Sequence, residues 1–147
     1  MEFVESVKSA FRKYAVFKGR ASRSEYWYWV LFATIGIVSL KILDGVLWGF
    51  INYKMPDGTS VFKLQGKKDT LELIFLFSIF IPGLAVTIRR LHDIDNKGWW
   101  CLMTFTIIGQ IPLAIMCALK GTDGVNRFGE DPLKYVELFD ENMQDSL

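Results

Sequence analysis

The sequence predicts an all-α membrane protein, and two observations lead to that fold class. Hydrophobic residues make up 51% of the 147 residues and charged residues 22%, yet the charges avoid three long segments. These segments cover about 26–50, 71–88 and 99–119, close to the roughly 20 apolar residues that a helix needs to cross the hydrocarbon layer. We therefore predict three transmembrane helices, preceded by an amphipathic interfacial helix and followed by a polar C-terminal tail that starts at Lys120.

A soluble helical protein with very apolar buried helices is the alternative. A helix that faces water on one side carries a polar stripe with a period near 3.6 residues, and none of the three segments shows one. The sequence therefore favours the membrane over the soluble alternative.

The N-terminal arm, up to Glu25, predicts a helix that lies in the membrane interface. Its apolar residues recur at every third or fourth position from Phe3 to Phe17, and its lysines and arginines occupy the other faces. This pattern suits a helix at the lipid surface that is anchored partly by lipid charge. A helix packed on its own domain is the alternative.

The first span has a clear start signal. Ser22 is the expected N-cap, and Glu25 three residues later completes the pattern of a capping box, in which each side chain satisfies a free backbone N–H of the other residue. Tyr26 and Trp27 follow as aromatic anchors for the headgroup boundary. We therefore expect the first span to begin directly after Ser22.

The link between the second and third segments reads RRLHDIDNKGWW, from Arg89 to Trp100. Arg89 and Arg90 fall where a helix ends, and cations there offset the partial negative charge of the free carbonyls. Trp99 and Trp100 are expected to anchor the next helix at the interface. These roles describe a hairpin between two membrane helices, but they do not account for His92 and Asp93.

Three complete crossings would place the arm and the link on one face of the membrane and the tail on the other. The arm and link then carry nine lysines and arginines and the opposite face seven. Positive charge favours the cytoplasmic side, so this count predicts a cytoplasmic N-terminus and a tail outside, by a narrow margin.

A shared face for the arm and link would bring together seven chemically active side chains: Arg20, Arg23, Glu25, Arg89, Arg90, His92 and Asp93. Glu25 and Asp93 could pair with the arginines and lock the helices. The arginines could instead bind a phosphate or an anionic lipid headgroup bidentately. In a third interpretation, His92 is a general base that Asp93 orients.

In the polar segments outside the three apolar ones, we identify no nucleophile paired with a base, no residues at the spacing of metal ligands and no nucleotide-binding loop. We therefore expect a non-enzymatic protein without cofactor or metal that acts by partner binding or oligomerisation in the membrane. An assembly helper and a toxin-immunity protein are two versions of this role. The expected partners are membrane lipids, some of them anionic, and further copies or another membrane protein, with no nucleic acid.

Three motifs in order, FKGRASRSEYWYWVLF from Phe17, RRLHDIDNKGWW from Arg89 and GVNRFGEDP from Gly124, resemble the bacterial domain-of-unknown-function family 805. The resemblance implies a small multi-pass protein of the bacterial inner membrane, with a helical fold and no established activity. Beyond the positions already named, the resemblance adds a motif in the tail. Its residues are Asn126, Arg127, Phe128, Gly129, Asp131 and Pro132. We therefore expect one membrane domain over 1–132 and an acidic extension over 133–147.

Overall fold

The computed structural model describes residues 2–51 and 70–134, with the backbone alone at 47–51 and 70. Within these ranges the regular elements are helical, and no β-strand is present: α1 (Phe3–Arg12), α2 (Arg23–Ile51), α3 (Thr70–Asp93), a 3-10 helix (Gly98–Phe105) and α4 (Ile107–Ala118). Of the described helices, α2 and α3 are long and apolar enough to cross a membrane, and α4 is shorter. The all-α membrane class is thereby confirmed. The acidic extension lies outside the described residues apart from Leu133 and Lys134.

The third apolar segment differs from the continuous helix expected over 99–119. The 3-10 helix ends at Phe105, and Thr106, whose backbone is extended, caps the start of α4 by accepting a hydrogen bond from the Gly109 N–H. Threonine is a favoured N-cap because its side-chain oxygen satisfies a free N–H of the first helical turn. Gly109 also lies so close to Thr106 and Met103 that a side chain there would overlap both residues. The chain therefore turns at Thr106 and packs α4 against the 3-10 helix.

Both ends of this segment lie at the last turns of α3. At its start, a Cβ on Gly98 would lie 3.3 Å from the His92 ring. At its end, the Leu119 carbonyl accepts a hydrogen bond from Arg90, and the Thr122 N–H donates to the Asp93 carbonyl at 2.9 Å. The tail therefore lies at the same end of α3 as the link. In the expected arrangement a complete third crossing separated the two.

The described chain forms two compact units. One comprises Phe32–Phe80, where α2 and α3 pack along their apolar faces. Gly36 lies against the Phe75 ring so closely that a Cβ would overlap it, and Lys41 pairs with Glu72 at 3.5 Å. A side chain at position 36 would therefore require the Phe75 ring to move.

The other unit contains the remaining described residues and holds the start of α2, the end of α3 and α1. Ser6 and Ala10 are the fully buried positions of α1, and Phe3 meets Tyr28 edge-on, with ring centroids 5.8 Å apart. Val4 and Phe11 stay 57% and 41% exposed. Helix α1 thus packs on its own unit through small residues, as the alternative for the arm expected, and leaves apolar side chains exposed. Its location in the membrane interface stays a prediction.

Candidate functional site

Asp93 is the centre of a buried charge cluster. Its Oδ1 accepts a hydrogen bond from Arg20 Nε at 2.8 Å, and its Oδ2 accepts one from Arg90 Nη1. Asp93, Arg20 and Arg90 are only 4%, 7% and 0% exposed. A carboxylate bound by two guanidinium groups is held firmly, because charge-assisted hydrogen bonds are about twice as strong as neutral ones.

The other donors of these two arginines bind backbone carbonyls. Arg20 donates to the carbonyls of Thr122, Gly124 and Gly129, all in the tail. Arg90 donates to carbonyls at the end of α4, which are those of Cys117 and Leu119, and to that of Ala21. The two guanidinium groups therefore fasten the arm, α3 and the tail to one another.

Glu25 and Arg89 form a second pair beside the first. Arg89 Nη1 donates to Glu25 Oε1 at 3.0 Å, and the Ser9 hydroxyl of α1 donates to the same oxygen at 3.1 Å. Both charged residues are buried, since Arg89 is 1% exposed and Glu25 is 2% exposed. The expected pairing between the arm and the link is therefore present twice, as Glu25 with Arg89 and as Asp93 with Arg20.

Arg89 keeps part of its hydrogen-bonding capacity unused. Its Nε and Nη2 atoms are buried and have no hydrogen-bond partner among the described residues. These two atoms form one edge of the guanidinium group, which presents its five donors in a fixed planar fork. The Glu25 pair is therefore less completely bonded than the Asp93 cluster.

The start of α2 agrees with the predicted N-cap and differs in the capping box. The Ser22 hydroxyl accepts a hydrogen bond from the Glu25 N–H at 3.2 Å. The Glu25 carboxylate, however, binds Arg89 and Ser9. The Glu25 side chain therefore binds residues of α3 and α1 and does not complete the capping box that the sequence pattern predicted.

Arg23 differs from the other three arginines because its side chain is exposed. It lines a cavity of about 230 Å³ between the start of α2 and the tail. In the described part of the chain, no carboxylate lies within salt-bridge distance of Arg23. The lining of this cavity carries both signs of charge, with Arg23, Arg90 and Lys120 facing Asp93, Asp123 and Asp131.

His92 is held in a different way from Asp93. Its ring stacks on Phe128, with centroids 3.9 Å apart and planes 4° apart. Its Nδ1 lies 3.2 Å from the Gly19 carbonyl, which can only accept, so Nδ1 carries the proton. The Asp93 carboxylate binds two arginines, and among the described residues no side-chain hydrogen bond joins it to the His92 ring.

The tail motif closes around this end of α3. The Asn126 amide donates to the His92 carbonyl at 2.9 Å, and its backbone exchanges two hydrogen bonds with Gly129. Arg127 pairs with Asp95 at 2.9 Å and lies over the Phe128 ring. Asp131, next to Pro132, accepts a hydrogen bond from the Leu133 N–H at 2.9 Å. The tail motif therefore binds the link through Asn126 and Arg127.

The four aromatic residues expected as interface anchors differ in exposure. Trp99 and Trp100 are 77% and 45% exposed, and Trp27 is 41% exposed. Tyr26 is only 9% exposed and interacts with Cys117 through its side chain. Tyr26 therefore packs inside the protein, because the end of α4 covers it, and the remaining three are exposed at the protein surface.

Gly121 is a residue of the site that sequence reasoning missed. A Cβ at this position would overlap the Asp93 carboxylate. Glycine is therefore required for the tail to approach Asp93, where Thr122 then donates twice to the Asp93 carbonyl. The available signal was the glycine pair at 121 and 124 directly after the last apolar segment.

These features define a class: a small all-α membrane protein whose polar end is closed by buried arginine and carboxylate pairs. The chain belongs to the bacterial family described as protein of unknown function (DUF805), whose sequence profile matches residues 14–130. This agrees with the family expected from the three motifs.

Two Escherichia coli K12 relatives cover most of the chain. Inner membrane protein YhaI is 34% identical over 125 residues, which is 84% of this chain and 92% of the relative. Inner membrane protein YhaH is 35% identical over 123 residues, 82% of this chain and 90% of the relative. No solved structure matches the chain significantly. The chain is thus a multi-pass protein of the bacterial inner membrane.

Proposed function

We propose that this protein has no catalytic activity and acts by binding other membrane proteins or further copies of itself. The observation that carries the proposal is the internal use of the charged cluster. Arg20, Arg90 and Asp93 are buried and bonded to one another and to backbone carbonyls. A group that acts on a substrate must be free to contact it, so this bonding supports a scaffold role for the polar end.

The partners of Asp93, the residue next to His92, support the same proposal. A general base needs a free nitrogen within hydrogen-bond reach of the proton that it removes. Here Nδ1 donates to the Gly19 carbonyl and one ring face is covered by Phe128, so Nε2 is the nitrogen that could accept a proton. The carboxylate of Asp93, which would orient the ring in a catalytic pair, binds Arg20 and Arg90 instead.

The apolar faces of α2 and α3 are the surfaces through which such binding would occur. On α2, Ile35, Val38 and Ile42 are 50% to 62% exposed, and on α3, Ile74 and Phe77 are 60% and 75% exposed. Helices in a bilayer associate through close side-chain packing and interhelical hydrogen bonds. The two described helices that are long enough to span a membrane and the shorter α4 are too few to enclose a conduit. This also favours a role in association over transport within one subunit.

Site-specific photocrosslinking in the native membrane tests the proposal. A photoreactive amino acid replaces Phe77, which is 75% exposed, and in a matched variant it replaces Ile79, which lies on the same helix and is 8% exposed. Reproducible protein crosslinks from position 77 and none from 79 are the expected result. Crosslinks from 77 to lipid alone, together with a strictly monomeric mass in nanodiscs, would contradict the proposal.

Binding of an anionic lipid headgroup or another phosphate is a second candidate function. Sequence reasoning attributed it to Arg20, Arg23, Arg89 and Arg90 together, and the cavity beside Arg23 is the observation that favours it. Arg23 is exposed, and Lys120 lies on the same cavity wall. The candidate site is therefore narrower than the cluster and centres on Arg23.

Native mass spectrometry in nanodiscs tests this second candidate. Arg23→Glu should lower retention of phosphatidylglycerol or cardiolipin several-fold. In a second measurement, inorganic phosphate is added to the detergent-purified protein, which shows whether the phosphate group alone suffices for binding. Arg12→Glu, a charge reversal in the last turn of α1, is the control. Equal lipid retention in both variants would exclude the Arg23 site.

A further inference from the structure

The segment from Trp99 to Leu119 contains no charged residue, and the structure leaves most of its large side chains exposed. Exposure is highest around the turn at Thr106, where Phe105, Ile107 and Ile108 are 63%, 87% and 85% exposed. Monomeric soluble proteins rarely leave a continuous apolar surface of this kind open to water. A nonpolar medium or partner must therefore cover the segment.

The dimensions of the segment exclude a crossing by α4 alone. Its 12 residues extend about 18 Å at the usual rise, against a hydrocarbon layer of about 30 Å. The 3-10 helix does not supply the missing length, because the chain turns at Thr106 and α4 packs back against it.

Both ends of the segment from Trp99 to Leu119 lie beside the C-terminal end of α3. Gly98 lies against Ile88 and His92, and the Cys117 carbonyl accepts a hydrogen bond from Arg90 Nε at 2.9 Å. All of these contacts fall within the last two turns of α3. The start of α2 is at the same level, because the Ala21 N–H donates to the Arg89 carbonyl at 3.0 Å.

We propose that the 3-10 helix and α4 form a re-entrant element, which enters the lipid leaflet at the charged cluster and returns to the same membrane face. Its partner is the acyl-chain layer of that leaflet. Lipid fits this surface because the segment starts and ends where both spanning helices meet the membrane boundary. Several polar groups at the turn are bonded within the segment: the Thr106 hydroxyl accepts from the Gly109 N–H, the Thr106 N–H donates to the Met103 carbonyl, and the Gln110 amide donates to the Thr104 carbonyl.

The proposal changes the charge balance across the membrane. With two crossings, the arm, the link and the tail share one face and carry twelve of the 17 lysines and arginines, while the connection between α2 and α3 carries four and Lys41 lies within α2. The positive-inside rule then places the N-terminus and the tail clearly in the cytoplasm. The twelve are Lys8, Arg12, Lys13, Lys18, Arg20, Arg23, Arg89, Arg90, Lys97, Lys120, Arg127 and Lys134.

Paired reporter fusions test the number of crossings. Green fluorescent protein fluoresces only when it folds in the cytoplasm, and alkaline phosphatase is active only in the periplasm, so each location gives a positive signal. The full chain carries either reporter at its N-terminus, at its C-terminus or as an insertion after Gly58. We expect fluorescence from both termini and phosphatase activity from position 58. Phosphatase activity at the C-terminus with fluorescence at the N-terminus would overturn the proposal.

A depth measurement separates insertion into lipid from a segment that stays in water. An environment-sensitive fluorophore is attached at Ile108→Cys or, as a control, at Val125→Cys in the tail, where 77% of the side chain is exposed. Cys101→Ser and Cys117→Ala remove the native thiols, and the proteins are placed in phosphatidylglycerol-containing vesicles. Spin-labelled lipid should quench position 108 several-fold more than position 125, and aqueous iodide should do the reverse. Iodide quenching of both positions alike would refute insertion.

Discussion

The two buried ion pairs at the polar end differ in how completely they are bonded. Asp93 binds Arg20 and Arg90, whose remaining donors reach carbonyls of α4, the arm and the tail. Arg89 donates only through Nη1 to Glu25, and its Nε and Nη2 have no partner among the described residues. Breaking a buried pair is costly because it leaves an uncompensated charge, whereas removing both partners is often nearly neutral. The Asp93 cluster therefore acts as a network, whereas the Glu25 pair has one further side-chain partner, Ser9.

The largest effect is expected for Asp93→Asn. The change leaves Arg20 and Arg90 buried without an anion, which should lower the free energy of unfolding by about 3–5 kcal/mol. Thermal unfolding of the purified protein in detergent measures it. Asp123→Asn is the matched control, because that residue pairs with Lys120 at an exposed position and should change stability little. Equal effects of the two substitutions would contradict the network.

Gly121→Ala should have the next largest effect. The added methyl group would overlap the Asp93 carboxylate, and overpacking of this kind typically costs about 1–3 kcal/mol. Gly45→Ala is the control, because a Cβ there meets nothing within 4 Å and alanine is the better helix former. The same detergent unfolding assay should show a loss for the first variant and no loss for the second.

Ser9→Ala tests the connection of α1 to the Glu25 pair. It removes the hydroxyl that donates to Glu25 Oε1 and should cost about 1 kcal/mol, the usual net contribution of a hydrogen bond. Limited proteolysis after α1 should also become faster. Ser78→Ala, where the hydroxyl donates to a carbonyl of its own helix, provides the comparison. A faster cleavage in both variants would point to a general loss of stability instead.

The smallest effect is expected when the whole Glu25 pair is removed. Glu25→Gln combined with Arg89→Met should keep the free energy of unfolding within about 1 kcal/mol of the parent, because no buried charge is left unpaired. Asp93→Asn combined with Arg90→Met should remain destabilised, since Arg20 still depends on Asp93. A double-mutant cycle on both pairs gives the two coupling energies. Similar values would show that the two pairs are equivalent.

The sequence by itself determined the helical membrane class, Ser22 as the N-cap of α2 and the set of charged residues from which the buried pairs are formed. Hydropathy and N-cap patterns are local, and buried charges require opposite charges nearby, so these features follow from composition and spacing.

Only the tertiary structure decided which arginine meets which carboxylate, that Tyr26 is buried, and that α4 turns back at Thr106. These features depend on contacts between residues far apart in the chain, such as Arg20 with Gly124 and Asp93 with Gly121. A segment of 21 apolar residues has the composition of a spanning helix whether it crosses the membrane or turns back within it. Hydropathy indicates that the segment prefers a nonpolar environment, but it carries no information about the direction of the chain.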